Sequence, residues 1–239
     1  MNSPTLLAVA HGSKHHAATA TIRALAGEVE RLAPVLDIQV AFVQHAEPSL
    51  PHALDAAGPD VVIVPLLLST GYHLTTDIAG AVTAIDTAIT AGDAPAPRVA
   101  GPLGPDPLLV TALTGRLAEA EVPAGTPVVL AAAGSSDPLA AGQVQAQADL
   151  LAADLGVPVA VGYAAAGQPT VGDAVAALRA RTGKPVAVAS YLLAPGQFQD
   201  KLGQAGADWV TMPLGAHPAV AALIIDRYRA HRTPVGRAA

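Results

Sequence analysis

The sequence predicts an α/β fold of two homologous (βα)4 lobes, each built on a doubly wound, parallel four-stranded sheet. Three observations carry this. Apolar runs of four to eight residues alternate with longer alanine-rich amphipathic stretches, the pattern of strands buried on both faces and joined by crossover helices. The longest strongly apolar run, Val61 to Leu68, has eight residues, whereas a membrane-spanning helix needs about 20. Landmarks of the first half also recur in order in the second, at offsets between 111 and 125 residues.

The elements follow in order. Thr5–Ala10 is the first strand, and Ala17–Leu32 is the amphipathic helix after it. Ile38–Val43 and the Val/Leu-rich Val61–Leu68 are the next strands, Ile78–Thr90 is helical, and the short Arg98–Gly101 closes the first sheet. The second half repeats the plan with strands Pro127–Ala132, Val157–Ala164, Pro185–Leu193 and Trp209–Met212. Its helices include Gln143–Leu155 and Pro218–Arg229. Alanine, 54 of the 239 residues, suits such a fold because it is the best helix former and lets helices approach a sheet closely.

Four landmarks define the repeat. Ala10-His11-Gly12-Ser13 matches Ala132-Ala133-Gly134-Ser135, and Phe42 to Leu54, with Pro48, matches Tyr163 to Val175, with Pro169. Leu66-Leu67-Leu68 with Gly71 and His73 matches Tyr191-Leu192-Leu193 with Gly196 and Phe198, and Pro102-Leu103-Gly104 matches Pro213-Leu214-Gly215. The expected boundary lies near Glu121–Gly125, which divides the chain into lobes 1–121 and 122–239.

Composition removes several function classes. With no cysteine, there is no disulfide scaffold, thiolate zinc site, iron–sulfur cluster or cysteine nucleophile. A net charge of −6 with two Phe, one Trp and four Tyr lacks the basic stripe and stacking platform of a nucleic-acid binder. The first residues carry no basic region ahead of a signal-peptide core, so a cytoplasmic protein with no membrane partner is expected.

The repeat acts as an internal control on chemistry. His11 corresponds to Ala133 and His73 to Phe198, while His45 and Glu47 correspond to Ala166 and Gln168. Groups that one half lacks are not needed to build a lobe. In a sheet of order 2-1-3-4, strands one and three are neighbours about 4.8 Å apart, and ligands bind at the carboxyl edge. His11 closes the first strand and His73 follows the third across the Ser69-Thr70-Gly71 turn, so both imidazoles would rise into one crevice. His45 and Glu47 follow the second strand at the same edge. Paired imidazoles, with or without a carboxylate, suit Fe²⁺, Co²⁺, Ni²⁺ or Zn²⁺ and accept protons near neutral pH. A lone strand-end histidine more often caps a helix or bonds a loop. A phosphoryl-transfer reading of His11-Gly12-Ser13 is disfavoured, because Ala10 stands where a histidine phosphatase needs Arg and there is no Walker loop.

At these residues the chain resembles the sirohydrochlorin chelatases, small metal-inserting enzymes of the class II chelatases, here in a fused two-lobe form. The resemblance rests on Leu7-Ala8-Val9-Ala10-His11-Gly12-Ser13-Lys14 and on Pro65-Leu66-Leu67-Leu68-Ser69-Thr70-Gly71-Tyr72-His73 with Asp77. Pro48-Ser49-Leu50 and Pro102-Leu103-Gly104 add to it. It implies ATP-independent insertion of a divalent metal into sirohydrochlorin, a polycarboxylate tetrapyrrole, with Fe²⁺ for sirohaem favoured and Co²⁺ for cobalamin next. The metal would be a substrate, and no permanent cofactor is expected. His11 and His73 would hold the metal and take protons from the pyrrole nitrogens. Ser13, Lys14, Gln44, Gly71 and Tyr72 would contact the substrate. The protein would act as a monomer, its second lobe forming the opposite wall of the cleft.

Two positions depart from the family pattern. Gln44 stands where the family commonly has Glu, leaving Glu47 and His45 as alternatives for a third metal ligand. Lys14 replaces the usual Arg, keeping the charge but not the bidentate fork. Lys14, His15, His16, Arg98 and Lys201 are the candidate cations for substrate carboxylates, and His52, His217 and His231 are assigned to surface or packing. A metal- or tetrapyrrole-binding protein without catalysis is the alternative reading.

Overall fold

The computed structural model describes residues 3–70, 80 and 97–232. The expected helix Ile78–Thr90, together with Gly71, Tyr72, His73 and Asp77, lies outside the described residues. In the first half β1 (Thr5–Ala10), α1 (His16–Leu32), β2 (Ile38–Phe42), α2 (Leu50–Ala57), β3 (Val61–Pro65), β4 (Arg98–Val99) and α3 (Pro107–Glu119) follow one another. The second half contains β5 (Val128–Gly134), α4 (Pro138–Leu155), β6 (Val159–Ala166), α5 (Val171–Thr182), β7 (Ala187–Tyr191), α6 (Gln197–Leu202), β8 (Trp209–Val210) and α7 (Pro218–His231). The strands form two parallel sheets of order β2-β1-β3-β4 and β6-β5-β7-β8. These are the two four-stranded, doubly wound lobes that the apolar runs and the repeat predict.

The continuous apolar runs are explained by burial on both faces. In β1, Leu6, Ala8 and Ala10 enter the large central core, while Leu7 and Val9 pack under α2 with Leu50, Ala53 and Leu54. The second sheet repeats this: Val128, Leu130 and Ala132 face the centre, and Val129 and Ala131 face Val171, Val175 and Leu178 of α5. Alternation along a strand therefore separates two apolar environments rather than core from solvent.

Several boundaries shift for local reasons. β3 ends at Pro65 rather than Leu68. Leu66 N–H still reaches Val9 O at 2.8 Å, but Leu67 O turns away to accept from Leu103 N–H at 2.7 Å. β4 and β8 each keep two residues. α4 begins at Pro138 rather than Gln143, because Asp137 Oδ1 caps Leu139 N–H at 2.9 Å and proline suits the first turn.

The sequence halves do not pack as separate bodies. The last helix of each lies against the other's sheet: α3 packs on β7, and α7 packs on β3, α1 and α3. Polar contacts fasten the exchange. Arg227 of α7 donates to Pro102 O at 3.0 Å and Leu103 O at 2.8 Å, and Tyr228 Oη donates to Pro4 O at 2.7 Å. In the other direction Arg116 of α3 donates to Leu214 O at 2.7 Å. The central core accordingly mixes Leu109 and Leu113 of α3 with Leu223 and Ile224 of α7 and both sheets. Among the described residues, no helix is long and apolar enough to cross a membrane.

Candidate active site

β1 delivers His11 to the carboxyl edge of the first sheet, and Gly12 and Ser13 then turn the chain into α1. The turn is possible because residue 12 is glycine. Gly12 has φ +92°, and a Cβ there would come within 1.7 Å of Gln44 O. This close approach places Gln44 against His11 twice. Gln44 N–H donates to His11 O at 3.0 Å, and the side-chain Nε2 atoms of the two residues lie 2.5 Å apart. Either amide orientation ties the Gln44 side chain to the ring: the amide N–H donates to a bare His11 Nε2, or its carbonyl, turned round, accepts from Nε2–H. His45 follows in the left-handed region at φ 62°. Ser13 Oγ accepts from His15 N–H at 3.1 Å, fixing the entry to α1.

His11 faces a cleft between the carboxyl edges of the two sheets. One chamber, about 420 Å³, holds His11, Lys14, His15, Gln44 and His45 on one side and Leu192, Leu193 and Phe198 on the other. A second, about 550 Å³, runs from His11 and Leu66 to Thr70 across to Ser135, Ser136, Ala166 and Phe198. Both volumes fall in the range of small-molecule sites. His11, Leu66, Leu192, Leu193 and Phe198 belong to both chambers, so His11 sits where the two meet.

The cleft is electrostatically one-sided. Among the described residues no Asp or Glu lines either chamber, whereas Lys14 and the imidazoles of His11, His15 and His45 do. The acidic side chains among the described residues lie outside the cleft, which eases the apparent conflict between a net charge of −6 and an anionic ligand.

The cleft wall after β3 is held from the opposite lobe. Tyr191 Oη donates to Leu68 O at 2.8 Å, and Gln143 Oε1 accepts from Thr70 N–H at 2.6 Å. Burial, reinforced by the Asp106 carboxylate, raises the Tyr191 phenol above its ordinary range, so it remains a donor. Gln147, one turn beyond Gln143, is fully buried and bonds both Asp106 N–H (2.8 Å) and Asp106 O (3.3 Å).

The sequence-derived residues separate in the fold. His11, Ser13, Lys14, Gln44 and His45 come together at one edge. Glu47 does not join them: its Oε2 accepts from Ser49 N–H at 2.8 Å at the start of α2, and it lines neither chamber. His73, Gly71 and Tyr72 lie outside the described residues. Among the described residues, no group of three or more His, Cys, Asp or Glu is placed to hold a metal ion. Arg98 pairs with Asp60 near the amino ends of the strands and lines neither chamber. His217 caps α7 and His231 bonds Arg227 O.

The repeat registers differently here than the sequence alignment implies. Gly134, at φ +90°, would place a Cβ within 1.6 Å of Ala166 O, so Ala166 is the counterpart of Gln44 rather than of His45. An irregularity between Ala132 and Gly134 in the β5–β6 pairing accounts for the one-residue slip. The apolar wall of Leu192, Leu193 and Phe198 was not singled out as a site, although Gly71-x-His73 matching Gly196-x-Phe198 carries the signal for Phe198.

Comparison with known proteins agrees with this architecture. The CbiX family model matches residues 5–120 and again 127–231, once per lobe. Among solved structures, SirB from Bacillus subtilis with Fe³⁺ superposes with a TM-score of 0.82 at 24% identity, covering 96% of this chain and 95% of that one. The sirohydrochlorin chelatase SirB from Bacillus subtilis subspecies spizizenii in complex with cobalt gives 0.76 at 22% identity, covering 95% and 94%. CbiX, described as the terminal enzyme for biosynthesis of siroheme in denitrifying bacteria, gives 0.66 at 26% identity, covering 95% and 98%. No curated protein matches the chain. With the same family matched by each half and the fold of these chelatases spanning both lobes, the chain belongs to the CbiX family of sirohydrochlorin chelatases.

Proposed function

We propose that the protein inserts a divalent metal into sirohydrochlorin without ATP, with Fe²⁺ the favoured metal and Co²⁺ next. One observation carries the reading: His11 stands at the junction of both chambers of a cleft whose described lining residues include no carboxylate. The cleft can therefore admit a flat polyanion while presenting a metal-binding, proton-accepting imidazole to it. The SirB structures with Fe³⁺ and with cobalt show that proteins of this fold bind such metals.

Insertion replaces two pyrrole N–H protons by one M²⁺. The bonds formed to the four nitrogens supply the driving force, so no nucleotide is required. His11, its ring steadied by Gln44, offers the ring nitrogen not bonded to Gln44 first to the incoming metal and then, once the metal passes to the macrocycle, to a pyrrole proton. His73 is assigned the matching role on the strength of the family motif. Of the two alternatives for a third ligand we assign His45, which lines the chamber with His11 while Glu47 is engaged in capping Ser49. Lys14 and Ser13 meet substrate carboxylates, and Gly71 and Tyr72 keep the substrate contacts that the motif implies. In this reading residues 1–121 handle the metal and residues 122–239 complete the cleft. Two lobes in one chain supply their own partner, so the enzyme works as a cytoplasmic monomer.

The test is anaerobic incubation with sirohydrochlorin and Fe²⁺, Co²⁺ or Ni²⁺, followed by the absorbance of the macrocycle. Initial rates above the metal-only background, highest with Fe²⁺ at limiting metal, support the reading. Stoichiometric binding without a rate above background would select a non-catalytic carrier.

A further inference from the structure

Among the described residues the wall facing His11 is built mainly of aliphatic side chains, with Tyr191 buried in it and Phe198 its exposed aromatic. It lines both chambers together with His11 and keeps 40% of its surface exposed. A large apolar side chain left open in a cleft has solvent-exposed area available for a ligand. Its neighbours along the wall, Leu192 and Leu193, also line both chambers.

The position of the ring is fixed by its surroundings. Phe198 lies in α6 beside Gln199, whose Oε1 accepts from Ser190 Oγ at 2.5 Å and whose Nε2 donates to Thr211 O at 2.9 Å. These bonds anchor the helix to β7 and to the end of β8. One turn on, Lys201 Nζ stands 5.8 Å from the Phe198 ring centroid, within cation–π range. The ammonium sits over one face of a ring that lines both chambers, while Lys201 itself lines neither.

We propose that Phe198 is the stacking platform for the tetrapyrrole, holding the macrocycle by one face while His11 addresses the other. This rests on the chelatase reading and extends it to an asymmetry between the lobes. The half that carries His11 supplies donors to the metal. The half with Ala133 and Phe198 at the matching positions supplies a surface without imidazole or carboxylate among its described lining residues. Metal then reaches the ring nitrogens from the His11 side alone.

The experiment measures macrocycle affinity and turnover separately in the full-length protein. Metal-free sirohydrochlorin is titrated by fluorescence under anaerobic conditions, and KM values for macrocycle and metal are determined in parallel. Phe198→Ala should raise the macrocycle Kd and KM by about tenfold, the size expected for loss of one aromatic stacking contact. The KM for metal should stay unchanged. Phe198→Trp, which restores a π-face, should return the macrocycle Kd to near the wild-type value. A macrocycle Kd within about twofold of wild type in Phe198→Ala, or a loss of kcat with the macrocycle KM unchanged, would overturn the assignment. Because Kd is read without metal, a wild-type protein that binds the macrocycle but inserts nothing would defeat the chelatase reading and leave the stacking test standing.

Discussion

At the scale of single residues, the site depends on the close approach of Gly12 to Gln44 O. Adding a Cβ there collides with main chain at 1.7 Å and forces alanine to hold φ +92°, a conformation that costs about 1–3 kcal/mol for a non-glycine residue. Gly12→Ala should therefore lower the thermal midpoint and also slow insertion, because Gln44 must move away from His11. Gly134→Ala meets the equivalent obstacle, Ala166 O at 1.6 Å, in the half without the histidine. It should show a comparable loss of stability with a much smaller effect on rate; equal loss of rate in both variants would separate the turn from the chemistry. Gln44 offers a second test. A carboxylate beside His11 adds a charge opposite to that of the metal, so Gln44→Glu should lower the KM for metal severalfold in initial-rate measurements. An unchanged KM would remove Gln44 from the metal's path.

At the scale of elements, the cap of α7 titrates. His217 Nδ1 accepts from Ala219 N–H at 3.1 Å, which only a ring unprotonated at that nitrogen can do. Burial, followed by the Arg116 charge, lowers the His217 pKa from 6.5, with Glu119 and Glu28 opposing. The unfolded chain then binds the proton more readily than the folded one, so stability falls as pH drops below about 6.5 towards the lowered folded value. His217→Asn keeps a capping acceptor that does not titrate. Its thermal midpoint should decline less than that of the wild type between about pH 7 and pH 5; parallel declines would exclude His217 as a source of the acid sensitivity. Elements are also where the sequence was most legible. Two-sided burial writes Val, Ile and Leu at consecutive positions, so all eight described strands fall within or beside the expected runs. The cleft position of His11 was legible because it ends such a run. The slip between His45 and Gln44 was hidden, since a one-residue irregularity in β5–β6 leaves no trace in composition. Glu47 was misleading for a related reason. Sequence proximity to the strand end cannot tell a carboxylate pointing into the cleft from one that caps Ser49.

At the scale of the whole molecule, exchange of the terminal helices makes the two lobes one cooperative unit. This too was illegible: an alanine-rich amphipathic helix presents much the same face to either sheet, and only the assembled packing shows α3 on β7 and α7 on β3. Because Leu223 of α7 is 1% exposed within the shared core, Leu223→Ala should cost about 2–5 kcal/mol. The fluorescence of Trp209, the only tryptophan and a residue of β8, should follow the same transition as far-UV circular dichroism. Two separated transitions would show that the lobes unfold independently. The same assembly turns the sheets' carboxyl edges towards each other and leaves His11 where the two chambers join. The most direct measurement is the initial rate of metal insertion into sirohydrochlorin by wild type and His11→Ala, side by side and anaerobically, with circular dichroism confirming equal folding. The wild type should exceed the metal-only background and His11→Ala should fall at least about a hundredfold, the size expected for loss of a group that handles both proton and metal. A folded His11→Ala protein that inserts metal at the wild-type rate would contradict the account.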